Sequence, residues 1–81
     1  MPPACLVKWH DTVSYNGTWA SQDEAQGLEP SLMHTLGWIV GESDSHITIA
    51  STRSHDDEDC LGDLNAIPRG CILSITTVQM A

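Results

Sequence analysis

The sequence predicts a mainly β protein: a small, five-stranded, strongly bent, barrel-like sheet with one short helix, filling a single domain over residues 1–81. Three observations lead there. Apolar and polar residues alternate with period two in several short runs. Polar turn signals separate those runs at close intervals. One helix-start signature is present, and a stop follows it within a few residues. Five short strands on short links suit a sheet rolled on itself.

The elements follow in order. In Ala4–His10, Cys5, Val7 and Trp9 alternate with Leu6, Lys8 and His10, the pattern of a half-buried strand. Residues 11–19 are turn-rich around Asn16-Gly17. Ser21-Gln22-Asp23-Glu24 is a capping box, and Gly27 and Pro30 end the helix, which is expected over about residues 22–27. Residues 36–41 form the second strand, with glycines that mark a bend, a bulge or a close backbone approach. A polar connection at 42–45 joins it in a hairpin to the strand at 46–52, where Ile47 and Ile49 face one way and His46, Thr48 and Ala50 the other. Residues 53–63 are expected as a long acidic loop and 64–67 as a short strand. Pro68-Arg69-Gly70 is a stiff turn or one 3₁₀ turn, and 71–78 is the last strand. Leu73 and Ile75 are expected on one face of it, Ile72 and Val78 on the other.

Composition narrows the function. A chain of 81 residues buries roughly 60–65% of the surface its unfolded form exposes, enough for a small core but not for a deep cleft between two lobes. The net charge of −8 lacks the basic face that counterion release from DNA or long RNA requires, so no long nucleic acid is expected as a partner. No apolar stretch is long enough to span a bilayer, so no membrane partner is expected either. Residues 1–5 carry neither a basic nor an apolar leader segment, so no secretory signal is expected. Three cysteines, an odd number, fit a reducing compartment better than a disulfide framework.

Several pieces recur in a recognisable order. They are Val7-Lys8-Trp9-His10-Asp11, then Trp19, then Thr35-Leu36-Gly37-Trp38-Ile39-Val40 before an isoleucine-rich strand, then Ile67-Pro68-Arg69-Gly70. This order resembles a group of short bacteriophage and prophage proteins. Their outline is a V-x-W-x-D start, a VGW-like hairpin and an IP-[KR]-G entry to the last strand. The resemblance spans nearly the whole chain, implies the cytoplasm of a host cell as location, and brings no catalytic residues. The strand plan is also similar to that of Sm-like small barrels, an analogy of fold that does not fix function.

The chemistry-bearing residues are few and scattered. The run His55-Asp56-Asp57-Glu58-Asp59-Cys60 lacks the alternate spacing and turn glycine of a calcium loop, so it reads as a solvated loop. Cys5, Cys60 and Cys71 have no C-x-x-C spacing, and His10, His34, His46 and His55 share no repeat, so no metal site is expected. Cys5 and Cys71 read as small buried residues. No catalytic residue and no cofactor is expected. With no Phe and one Tyr, Trp9, Trp19 and Trp38 hold most of the aromatic surface. They serve as core or as a stacking and interface surface. The basic residues are only Lys8, Arg53 and Arg69, and the arginine fork suits an anionic group. The candidate ligand-binding residues are therefore Trp9, Trp19, Trp38, Arg53, Arg69 and Gly70, with Arg69 joined to a Trp face as first choice and Arg53 as second.

The expected function is a non-enzymatic phage or prophage binding protein, acting in counter-defence. It would associate with itself and sequester a small anionic, nucleotide-type signal. The alternatives are an acidic protein-interaction or DNA-mimic inhibitor of a host protein, supported by seven acids against one arginine in residues 42–63, and a structural phage component.

Overall fold

The structure, a computed structural model, describes residues 3–79. Seven elements follow one another: β1 (Cys5–Asp11), α1 (Gln22–Gln26), β2 (Ser31–Glu42), β3 (His46–Arg53), β4 (Leu61–Pro68), a 3₁₀ turn (Arg69–Cys71) and β5 (Ile72–Thr77). All five strands pair antiparallel in one sheet of order β4-β3-β2-β1-β5.

β2 belongs to two ladders. Its first half, Ser31 to Gly37, pairs with β1, and its second half, Trp38 to Glu42, pairs with β3. The exchange falls at Gly37, which is buried. A Cβ there would collide with the carbonyl oxygen of Ala50. The requirement is space rather than dihedral freedom, because no described glycine has positive φ. The Ser51 hydroxyl closes the same corner by donating to the Leu36 carbonyl at 2.8 Å.

The core is small. Val7, Ile47, Ile49 and Ile67 are its fully buried side chains, with Trp9, Ile39, Cys71 and Ile72 packed against them. These residues come from all five strands and the 3₁₀ turn, so no ladder is independent of the others. The Trp9 indole N–H donates to the Thr35 hydroxyl at 2.9 Å, which satisfies its one polar atom at the core margin.

Several boundaries differ from the sequence expectation. The sheet is bent but open: β4 and β5 are its two edges and share no ladder, so the barrel-like closure is not reached. The three-residue turn brings the edges together at one corner only. β2 starts at Ser31, five residues before the expected 36. Leu32 and Leu36 there point to solvent, which hides the usual alternation, and pairing with β1 decides the state instead. β3 extends to Arg53, and β4 starts at Leu61 instead of 64, so the acidic loop covers 54–60 rather than 53–63. Asp63 at φ 53° interrupts β4 and masks it in the sequence. In β5, Val7 lies opposite Ile75 and Trp9 opposite Ile72, with a register shift between Lys8 and Trp9. Leu73 is the extra residue of a bulge, so Ile72 and Ile75 lie on the same side, Ile72 packed against the core and Ile75 still 40% exposed, and the expected alternation fails. Val78 lies beyond the strand, although its N–H still donates to the Ala4 carbonyl at 2.8 Å.

Residues 12–30 form an exposed arm between β1 and β2. Its helix carries the full capping box: the Ser21 hydroxyl accepts from the Glu24 amide, and the Glu24 carboxylate accepts from the Ser21 amide. The other Glu24 oxygen accepts from the Tyr15 hydroxyl at 2.8 Å. The bond from Tyr15, followed by those to Ser21, holds the Glu24 carboxyl below its usual value, and the same Tyr15–Glu24 bond raises the phenol.

Two predictions come from this arrangement. Gly37→Ala should destabilise the fold by about 3 kcal/mol, the upper range for overpacking, because backbone must move. Gly70→Ala, with nothing within 4 Å of its Cβ, should leave the urea midpoint unchanged or slightly raised. Equal midpoints for the two variants would refute the space argument. The arm contact should be strongest at intermediate pH. Glu24 is depressed, so its contribution is present above the unfolded carboxylate value and lost as pH falls through the folded one. Tyr15 is raised, so its contribution is present below the unfolded phenol value and lost as pH rises through the folded one. Amide exchange at residues 24–27 should accelerate at both extremes, and a flat pH profile after correction for intrinsic exchange would contradict it.

Candidate functional site

Register places the site. Trp38, the first β2 residue in the β3 ladder, lies opposite Ala50, which in turn lies opposite Leu64. Arg53 ends β3 three residues further on, where the acidic loop departs. Its guanidinium carbon stands 5.1 Å from the centre of the Trp38 ring, within cation–π range. Trp38, Arg53, Ser54, His55 and Glu58 line a pocket of about 470 Å³.

The loop that walls this pocket is pinned. The Ser54 amide donates to the Cys60 carbonyl at 2.9 Å and the Cys60 amide to the Asp57 carbonyl at 3.0 Å. The Asp59 amide donates to the Asp57 carboxylate at 3.0 Å. These bonds hold Glu58 at the pocket, yet among the described residues Arg53 forms no ion pair with it or with any acid. Arg53 Nη1 is buried and has no hydrogen-bond partner among them. An unpaired buried donor costs about 1–3 kcal/mol. The Trp38 ring face restricts where the guanidinium can lie.

The other arginine is placed differently. Arg69 donates from Nε to the Ser43 carbonyl at 2.8 Å, and Nη2 lies 3.7 Å from the Glu42 carboxylate. Its amide donates to the Ser45 carbonyl at 2.9 Å. Arg69 therefore ties the hairpin turn to the 3₁₀ turn. The expected joining of a Trp face to Arg69 does not occur: the nearby depression of about 350 Å³ is lined by Ser45, His46, Ala66 and Pro68, with no tryptophan. Gly70 faces open space. Trp9 is committed to the core and Thr35. Trp19, 89% exposed on the arm, belongs to neither pocket. Of the six candidates, the structure brings together only Trp38 and Arg53.

Sequence reasoning passed over Ser54, His55 and Glu58 as pocket walls, because the 470 Å³ space exists only once the loop folds back. It also passed over the β2–β3 turn. There His46 Nδ1 lies 3.0 Å from the Ser43 hydroxyl and 2.9 Å from that of Ser45. The two hydroxyls lie 3.1 Å apart. The Ser43 hydroxyl also accepts from the amides of Ser45 and His46, so this is turn chemistry, with a single ring nitrogen shared by two hydroxyls. The S-x-S-H spacing was its only signal in the sequence.

Among the described residues, no three His, Cys, Asp or Glu side chains converge where a metal ion could be held. Cys5 is buried, Cys71 partly so and Cys60 exposed, all as free thiols. No helix of the described residues is long and apolar enough to cross a membrane. No protein-family model, no curated protein and no solved structure matches the chain.

A stability measurement separates a binding arginine from a structural one. Arg53→Met keeps the stem and removes the unpaired donor, and the lost cation–π contact contributes only about 0.5–1 kcal/mol. The variant should unfold within about 1 kcal/mol of the parent or above it. A loss beyond about 2 kcal/mol would make Arg53 structural.

Proposed function

We propose that the chain is a non-enzymatic binding protein of a phage or prophage, self-associating in the host cytoplasm, that sequesters a small anionic, nucleotide-type signal in the Trp38–Arg53 pocket. The observation that carries this reading is the unpaired, ring-stacked guanidinium of Arg53 in a 470 Å³ space. The pocket's mixed charge narrows the ligand. An anionic group finds the Arg53 fork, while a ring edge with N–H donors finds the Glu58 carboxylate and the Ser54 hydroxyl. A phosphate on a base-bearing sugar offers both. A polyanion is repelled by the acids of the same loop, Asp56, Asp57 and Asp59, in keeping with the overall −8. One face of Trp38 is taken by Arg53, so a base stacks on the guanidinium plane rather than on that face.

A second reading rests on the pinned loop. A mimic of a phosphate backbone needs carboxylates on a fixed surface, and the bonds that close residues 54–60 supply a fixed one. In that reading Asp56, Asp57 and Asp59 face a basic site on a host protein, and exposed Trp19 adds an apolar anchor.

Titration with a panel of linear and cyclic mononucleotides and dinucleotides, guided by mass spectrometry of what heat releases from protein purified from infected cells, tests the first reading. Arg53→Ala should weaken binding at least about tenfold, and Arg69→Ala should not change it. Binding unaffected by Arg53→Ala, or no released metabolite and no titrating nucleotide, would reject the sequestration reading.

A further inference from the structure

The two edges of the open sheet are unlike. β4 is blunted in three ways. Pro68 at its end has no N–H to offer, Asp63 at φ 53° kinks it, and the acidic loop 54–60 leads directly into it. β5, Ile-Leu-Ser-Ile-Thr-Thr, carries no charge and no proline. It is the only one of the five strands without a charged residue, Pro or His. Leu73 is 57% and Ile75 40% exposed along it.

The outward backbone groups are identifiable. The Val78 N–H donates to the Ala4 carbonyl, so Val78, Thr76 and Ser74 turn their N–H and C=O toward β1. Those of Ile75 and Thr77 therefore point away from the sheet. Charge supports the same edge. Asp63 and the 54–60 loop lie at the opposite end of the sheet, and the strand behind β5 presents Lys8, opposite Ser74 and without an ion pair among the described residues. Two chains of −8 each meet with least repulsion there.

We infer that β5 pairs antiparallel with β5 of a second copy, extending two five-stranded sheets into one continuous sheet across a two-fold axis. The partner must be the same edge, because β4 is blocked, and a patch that pairs with itself closes as a dimer. This deepens the self-association in the proposed function and rests on it. It also leaves the Trp38–Arg53 pockets at the outer ends of the dimer, so assembly and ligand binding are separable.

Light scattering on the full chain, with circular dichroism as the folding control, tests it. The parent should run at twice 8.8 kDa at about 10 μM. Thr77→Pro removes one outward N–H while sparing the ladder to β1, and Leu73→Lys places a charge on the exposed bulge. Each should raise the dimer dissociation constant at least about tenfold. Leu64→Lys, on β4, should leave it unchanged. If Thr77→Pro does not fold, Leu73→Lys alone carries the test. If Leu64→Lys dissociates the parent dimer, or if both β5 variants stay dimeric, the edge assignment is wrong while self-association stands. A parent that is monomeric at about 100 μM overturns both.

Discussion

Everything in this fold depends on how closely the backbone of β2 passes that of β3 at Gly37. One strand serves two ladders, and the exchange needs the Ala50 carbonyl where any side chain at position 37 would sit. Because the sheet folds at that point, Val7 from one ladder and Ile47, Ile49 and Ile67 from the other meet in one core. A flat sheet would leave both faces in water, and 81 residues hold too few apolar side chains to cover them otherwise.

The same fold point sets the functional geometry. Trp38 follows Gly37 directly, pairs with β3 at Ala50, and has the Arg53 guanidinium carbon 5.1 Å from its ring centre. The two described arginines then divide their tasks. Arg69 is spent on local carbonyl and carboxylate partners that fasten the last turn to the first hairpin. Arg53 lies over a ring face with its buried Nη1 unpaired. An orientation without satisfaction is what a recognition group needs, because the ligand then supplies the missing bonds with little loss of freedom.

The strands were legible where burial followed the pleat. Cys5, Val7 and Trp9 in β1 and Ile47 and Ile49 in β3 alternate because one face meets the core, and Ser21 and Glu24 announced α1 by their spacing alone. The first half of β2 was illegible because Leu32 and Leu36 lie on its solvent face. The parity of β5 was hidden by a bulge that only its partner's register reveals. In the site, residue type singled out Trp38 and Arg53, since tryptophans and arginines are few. The sequence reading placed Arg69 ahead of Arg53, because Glu42 and Ser43 stand beside Arg69 only through contacts 27 and 26 residues away in the chain. Ser54, His55 and Glu58 became pocket walls only through the backbone bonds that close their loop.

In the proposed function, Arg53 on Trp38 is the recognition group. Side-chain resonances test it, comparing protein freshly isolated from cells with the same protein after denaturation, dialysis and refolding. The Arg53 Nε–H and Trp38 indole signals should differ between the two samples, while those of Arg69, Trp9 and Trp19 should coincide. Differences centred on Arg69 or Trp19 with Arg53 unmoved would contradict it.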